Sequence, residues 1–131
     1  MDANKYIGIP FLDRGRFVER GLDCWGLVML VYRCEYEIEL PSYTTTYTSA
    51  SSATTNDVFS AEKDAWTKVE EPEPGDVLVF YSSGGVHVGI LVSPGLVLNV
   101  RRGADACIDR LAILGKIMRH VGTYRHNSRL S

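Results

Sequence analysis

The alternation of apolar and polar residues divides the chain into a helical first part and a strand-rich second part. A polar turn ends at Asp23, and the apolar run Cys24–Tyr32 that follows contains no proline. An aspartate immediately before such a run is a typical helix N-cap, so the pattern predicts a buried helix that begins at or next to Cys24. This helix should end between Glu35 and Glu39, where charged residues replace the apolar ones ahead of a proline.

The segments on either side of this helix are predicted to be mostly irregular. The stretch before it combines an apolar patch, Ile7–Phe11, with a charged loop that leads to the helix. After it, residues 41–55 consist largely of Ser, Thr and Tyr, which indicates a surface segment that is either of low complexity or the rim of a substrate site or docking surface. Asn56 or Asp57 is expected to cap a short helix that runs through Trp66, whose ring should lie in the core.

Short apolar runs rich in β-branched residues predict a sheet in the second half of the chain. The sheet begins after the turn Pro74-Gly75-Asp76, because proline and glycine interrupt regular structure there. Three strands and two weaker candidates are expected: Val77–Tyr81, His87–Val92 and Leu96–Val100, then Cys107–Leu111 and Val121–Tyr124. Helices followed by an antiparallel meander define an α+β domain.

The two middle strands form a hairpin whose register decides which side chains meet. The predicted register places Val92 opposite Leu96, Ile90 opposite Leu98, Gly89 opposite Asn99 and Val88 opposite Val100. One face is then aliphatic, and the other carries His87, Gly89, Leu91, Val97, Asn99 and Arg101. On that second face His87 and Asn99 are diagonal neighbours with Gly89 leaving room between them, whereas a slip of one residue would separate them.

Three polar residues of these elements suggest nucleophilic catalysis. A thiol at a helix N-terminus meets unpaired N–H groups and the positive end of the helix dipole, so the pKa of Cys24 is expected to be lowered. A thiolate needs an imidazole to take and return its proton, and the imidazole needs a third group that orients it. His87 and Asn99 fit those roles. The alternative is that Cys24 is a small buried hydrophobe, His87 a structural histidine and Asn99 a turn residue.

The length and composition of the chain limit the classes of protein to which it can belong. The chain has 131 residues, which is the size of one domain (1–131), and its net charge of -2 gives no reason to expect nucleic acid. Residues 1–20 lack the apolar core of a signal peptide, and no apolar run is long enough to span a membrane, so synthesis in a cytoplasm is expected. The three cysteines are predicted to be free thiols, and the three histidines lack metal-ligand spacing, so no metal is expected.

In order and spacing, four motifs resemble the NlpC/P60 cysteine peptidases. They are Asp23-Cys24-Trp25-Gly26-Leu27-Val28, Pro74-Gly75-Asp76-Val77, His87-Val88-Gly89-Ile90 and Asn99. The resemblance implies a papain-like fold in which Cys24 is the nucleophile, His87 the base and Asn99 the third polar residue. It also implies hydrolysis, without a cofactor, of amide bonds in peptidoglycan stem peptides, often the bond between γ-D-glutamate and diaminopimelate.

At three positions this chain departs from the usual pattern of that family. Trp25 stands where most wall-cutting members have serine, Phe11 lies where a tyrosine is usual, and Asn99 replaces a common histidine. Phe11, Trp25, Asp23 and Arg101 are candidate residues of a substrate groove, although Asp23 is expected to act mainly as a helix cap. Arg101 and its neighbour Arg102 either meet substrate carboxylates or are only solvated.

Within the family the resemblance is nearest to single-domain tail-assembly proteins of long-tailed bacteriophages. The chain is therefore interpreted as a cysteine endopeptidase of a phage tail, made in the host cytoplasm and acting in the periplasm or cell wall. Its partners would be the stem peptide and other tail-tip proteins. The alternatives are a structural tail-tip or assembly protein with an idle or covered site, and a host amidase or acyltransferase on the same scaffold.

Overall fold

A computed structural model describes residues 1–42, 65–83 and 85–130 of the chain. Helix α1 spans Cys24–Tyr36, and the Asp23 carboxylate caps it by accepting a 2.7 Å hydrogen bond from the Gly26 N–H. The helix ends at Glu37, whose backbone is left-handed with a φ of 55°. Both predicted ends of this helix are therefore confirmed.

A six-stranded antiparallel sheet forms the second half of the fold, as the α+β prediction required. Two short strands, β1 (Arg16–Phe17) and β2 (Gly21–Leu22), pair with each other ahead of α1. The large sheet contains β3 (Trp66–Lys68), β4 (Val77–Ser82), β5 (Gly85–Ser93), β6 (Leu96–Arg101), β7 (Ala104–Arg110) and β8 (Arg119–His126). Its strand order is β3-β8-β4-β5-β6-β7. Helix α2 (Leu111–Ile117) connects β7 to β8, and short 3₁₀ helices lie at Ala3–Tyr6 and Asn127–Arg129.

Apolar residues cover both faces of the large sheet. On one face α1 packs against β5 and β6, in a core of buried aliphatic residues that includes Val79, Val88, Ile90, Leu98 and Val100. On the other face Leu114 of α2 completes a smaller cluster with Leu78, Phe80, Leu91 and Val97. Because α1 lies against the centre of the sheet, its first residue is brought next to β5. Among the described residues, no helix has the length and apolarity needed to cross a bilayer.

The β5–β6 hairpin has the predicted register in its middle but not at its turn. Ile90 pairs with Leu98, as predicted, whereas Leu96 pairs with Ser93 rather than with Val92. The predicted pair of Val92 and Leu96 is wrong because a bulge between Leu91 and Ser93 places one extra residue on β5. The bulge lies next to the turn. At the other end of the hairpin, His87 and Asn99 therefore remain on the same face of the sheet, as predicted.

Two other predictions are corrected by the fold. Trp66 begins strand β3 instead of ending a helix, and it is buried as predicted. Its ring makes an edge contact with the ring of Trp25 and a tilted contact with the ring of Tyr32. The remainder of that predicted helix, and the Ser/Thr/Tyr segment from residue 43, fall outside the described residues. The predicted strand Cys107–Leu111 ends one residue early, because Leu111 begins α2, which the sequence reading missed.

The aspartate of the Pro-Gly-Asp turn anchors the end of the chain. The Asp76 side chain is fully buried, accepts two hydrogen bonds of 2.8 and 2.9 Å from the Arg125 guanidinium, and forms a 3.0 Å ion pair with Arg129. The Tyr32 hydroxyl also donates to the Gly75 carbonyl oxygen over 2.6 Å. This turn therefore joins α1, β4 and the C-terminal segment.

Candidate active site

One cavity brings together the residues that the sequence singled out for catalysis. It has a volume of about 380 Å³ and lies where the start of α1 meets the ends of β5 and β6. Cys24 and His87 both line it, although they are far apart in sequence. The remaining lining residues are Phe11, Ser82, Gly85, Val86, Val100, Arg101, Arg102 and Met118.

The hairpin places His87 and Asn99 in direct contact. The distance from His87 Nε2 to Asn99 Oδ1 is 2.9 Å, and both side chains are buried. Gly89 permits the contact, because a Cβ at that position would lie 2.5 Å from Val97 Cγ1 and 3.2 Å from Asn99 Cβ. Phe80 flanks the imidazole with its ring centroid 6.0 Å away. The imidazole is thus held in one orientation by hydrogen bonding and by packing.

The nucleophile candidate is the first residue of α1, but its ionisation differs from the prediction. Burial, and next the neighbouring Asp23 carboxylate, raise the pKa of the Cys24 thiol to about 12. Hydrogen bonds from the backbone N–H groups of Val88 and Trp25 act in the opposite direction and are outweighed. The predicted lowering of this pKa is therefore wrong for the structure as it stands, because only 7% of Cys24 is exposed and the helix dipole cannot replace the lost water.

The imidazole is also held in its neutral form. Burial lowers the pKa of His87 to about 4, against a smaller opposing effect of the hydrogen bond with Asn99. At neutral pH the site thus contains a thiol and an imidazole rather than a thiolate and an imidazolium. Such a pair can transfer the proton while the sulfur attacks a carbonyl, which is general-base catalysis.

A fourth polar residue, Asp109, completes the chain of contacts behind the histidine. Asn99 Nδ2 donates to Asp109 Oδ2 over 3.0 Å, and makes longer contacts of 3.4 Å with the carbonyl oxygens of Val97 and Cys107. The sequence reading missed Asp109, because it assigned no partner to the strand after β6. The alternation of side chains in β7 could have indicated this contact. Cys107 pairs with Asn99, and Asp109 lies on the same face of β7 as Cys107.

Of the four candidate groove residues, the cavity contains two. Phe11 and Arg101 line it, and the Arg102 guanidinium lies 5.2 Å from the centroid of the Phe11 ring. Asp23 is fully buried, where it caps α1 and forms a 2.7 Å ion pair with Arg16, so its assignment to the groove is corrected.

Trp25 is likewise in the core and not in the groove. Only 2% of it is exposed, and its Nε1 donates to the Pro41 carbonyl oxygen over 2.8 Å. Successive residues of a helix point about 100° apart, so the residue that follows Cys24 faces away from the thiol and into the protein. Trp25 therefore does not fill the cavity.

Comparisons with known proteins point to the NlpC/P60 family. The model of the NlpC/P60 family matches residues 10–120. The gamma-DL-glutamyl hydrolase of Bacillus subtilis (strain 168) is 30% identical to the chain over 119 residues, which cover 85% of the chain. The chain spans only 24% of the length of that relative.

Solved structures show the same fold. The NlpC/p60 domain of the peptidoglycan hydrolase SagA superposes with a TM-score of 0.65 at 22% identity, and the match covers 94% of this chain and 92% of that domain. An NLP/P60 family protein similar to a lipoprotein, from Staphylococcus aureus subsp. aureus Mu50, gives a TM-score of 0.66 at 24% identity, over 95% of this chain and 38% of that one.

Proposed function

The chain belongs to the NlpC/P60 family, and from that premise we propose that it is a cysteine peptidase that cleaves amide bonds in peptidoglycan stem peptides. The observation that carries the proposal is that Cys24 and His87 line the same cavity while Asn99 Oδ1 lies 2.9 Å from His87 Nε2. A nucleophile, a base and a group that orients the base are the three parts that acyl transfer through a thioester requires.

The proposed reaction starts from the neutral pair. His87 takes the Cys24 proton through Nδ1 as the sulfur attacks the substrate carbonyl, and backbone N–H groups at the start of α1 stabilise the oxyanion. The tetrahedral intermediate collapses, the C–N bond breaks, and His87 gives the proton to the leaving amine. Water then attacks the thioester with His87 as the base, which releases the acid and restores the thiol.

The substrate class is inferred from charge and from the relatives. Arg101 and Arg102 both line the cavity that contains Cys24. A γ-linked D-glutamate keeps its α-carboxylate free beside the scissile bond, and an arginine binds a carboxylate well. The name of the B. subtilis gamma-DL-glutamyl hydrolase supports cleavage of a γ-glutamyl bond, and the name of the peptidoglycan hydrolase SagA supports peptidoglycan as the substrate. The bond between γ-D-glutamate and diaminopimelate is therefore the proposed target.

The proposed biological setting is the tail of a long-tailed bacteriophage. What supports this setting is the resemblance of the motifs around Cys24, His87 and Asn99 to those of single-domain tail-assembly proteins. The protein would be made in the host cytoplasm, join other tail-tip proteins in the virion, and open the cell wall for genome passage.

One observation favours a second candidate, a structural tail-tip protein whose peptidase site is idle or covered. Cys24 is buried, and its thiol pKa is about 12, so the sulfur is protonated and little exposed. Under this alternative the fold would be retained for assembly, and the thiol would have no chemical role.

A digest of defined substrates tests the proposed activity. We expect the full chain to cut the peptide L-Ala-γ-D-Glu-diaminopimelate after the glutamate, and to release matching fragments from purified peptidoglycan, as read by mass spectrometry. The α-linked isomer of the same peptide is the control and should remain intact. If the protein instead cleaves the bond between the sugar and L-alanine in purified peptidoglycan, it is an amidase. A γ-linked peptide that stays intact after prolonged incubation would contradict the proposal.

A further inference from the structure

We propose that Asp109 is a positioning residue for catalysis, because it holds the Asn99 amide with its oxygen toward His87 and so decides which imidazole nitrogen carries the proton. The inference rests on the proposed function, in which His87 is the base. It concerns a residue of β7 that lies outside the motifs by which the chain resembles its family.

The two ends of the Asn99 amide have different partners. Its oxygen lies 2.9 Å from His87 Nε2, and its nitrogen lies 3.0 Å from Asp109 Oδ2. An amide can turn over, because its two ends are nearly equal in size and only hydrogen bonding distinguishes them. An ionised carboxylate accepts hydrogen bonds and donates none, so the NH₂ end must face Asp109. The oxygen is thereby directed to His87.

The orientation of the amide fixes the tautomer of the imidazole. An amide oxygen can only accept, so Nε2 must carry the ring proton and donate it to Asn99. Nδ1 then keeps its lone pair and can take the thiol proton. With the amide reversed, the NH₂ group would donate to Nε2, and the proton would move to Nδ1. A histidine protonated at Nδ1 cannot act as the base toward Cys24.

Asp109 is placed to remain a carboxylate. Arg101 Nη2 and the Cys107 thiol each lie 3.4 Å from Asp109 Oδ2, the same oxygen that accepts from Asn99. Burial acts to raise the pKa of Asp109, but the donors on Asn99, Cys107 and Arg101 outweigh it and hold the pKa below its usual value. About a quarter of the side chain is exposed (23%), so the contact with Asn99 is partly sheltered from competing water.

The test compares Asp109→Val, which removes the acceptor and suits a strand, with Asp109→Asn, which keeps the shape but can present either end of an amide. Asp105→Asn is the matched control, because Asp105 is exposed on the same face of β7. The primary readout is the ¹⁵N spectrum of the His87 ring nitrogens in the full chain at neutral pH. The second readout is the steady-state hydrolysis of the γ-D-glutamyl peptide.

In the parent chain and in Asp105→Asn we expect His87 to be protonated at Nε2. Asp109→Val should show a mixture of tautomers and a loss of kcat of about 10- to 100-fold with KM changed less than about threefold, which corresponds to one hydrogen bond to a charged group. For Asp109→Asn, both the tautomer mixture and kcat should be intermediate between those of the parent and those of Asp109→Val. If Asp109→Val does not fold, the Asn variant decides the question alone through the His87 spectrum.

A single Nε2-protonated form in both Asp109 variants, or unchanged kcat, would overturn the role of Asp109. The ring spectrum needs no substrate, so it tests this role even if the γ-glutamyl peptide is not cleaved. Conversely, if the parent chain cleaves the peptide while the Asp109 substitutions change neither the His87 spectrum nor kcat, that result would remove this inference and leave the proposed function in place.

Discussion

Replacing Cys24 with alanine should lower the rate of γ-D-glutamyl bond hydrolysis by at least about 10⁴-fold, because the thioester cannot form and the remaining groups only bind and polarise the substrate. The fold should be retained. Alanine is a good helix former, and deleting one sulfur beside the cavity costs on the order of 1 kcal/mol of the free energy of unfolding. Release of peptide from purified peptidoglycan, measured beside a circular dichroism spectrum, checks both expectations.

Cys34→Ala is the matched control for this change. Cys34 lies on the same helix but is exposed, so its removal should leave both hydrolysis and stability unchanged. If the protein belongs to a phage tail, as proposed, Cys24→Ala particles should assemble normally but be impaired in passage across the wall. If such particles cross the wall normally, and neither the purified variant nor its parent digests peptidoglycan, the structural alternative is favoured over the peptidase.

The largest expected effect on stability is at Asp76. Asp76→Ala should lower the free energy of unfolding by about 3 to 5 kcal/mol, because it leaves two mostly buried guanidinium groups, those of Arg125 and Arg129, without their carboxylate. Urea denaturation at pH 7 measures the change. Glu73→Gln is the control. Glu73 also pairs with Arg125, but over 3.4 Å and with 64% of its side chain exposed, so its loss should cost less than about 0.5 kcal/mol.

The comparison of the parent with Asp76→Ala also gives a pH-dependent prediction. Burial acts to raise the pKa of Asp76, but hydrogen bonds from Arg125, the Glu73 N–H and Arg129 outweigh it and hold the pKa below its usual value of 3.8. A carboxyl whose pKa is lower in the folded state stabilises the fold above its unfolded pKa and loses that contribution as the pH falls through the folded value. The stability difference between parent and Asp76→Ala should therefore be full at pH 7 and shrink below about pH 3.8. An equal stability difference at pH 7 and below about pH 3.8 would contradict this role for the ion pairs.

Local chemistry made much of the fold predictable. The Asp23 cap and the break before Pro41 set the ends of α1, since capping depends on residues that are adjacent in sequence. Alternation in the hairpin placed His87 and Asn99 on one face, and the glycine between them left the space for contact. These features follow from residues a few positions apart, which is why the sequence alone was sufficient.

Features that depend on packing between distant elements were not predictable in the same way. Asp109 reaches Asn99 only through the pairing of β6 with β7, and the bulge at Val92 depends on how the turn closes. The ionisation of Cys24 was misjudged because the helix dipole is a local property, whereas the burial that outweighs it comes from the sheet packed against α1. The same packing directs Trp25 into the core, and the motif around Cys24 does not reveal this.

Competition among the three thiols tests most directly whether Cys24 is the nucleophile served by His87. A γ-D-glutamyl peptide analogue with a chloromethyl ketone in place of the scissile amide alkylates a thiol with loss of chloride. It is incubated with the full chain, and the labelled cysteine is identified by peptide mapping. Exposure alone favours Cys34, because Cys24 is buried and Cys107 is partly buried. We predict that iodoacetamide labels Cys34 first, whereas the analogue labels Cys24 and loses that preference in His87→Gln. Labelling of Cys34 by the analogue, with Cys24 unmodified, would contradict the assignment of the nucleophile.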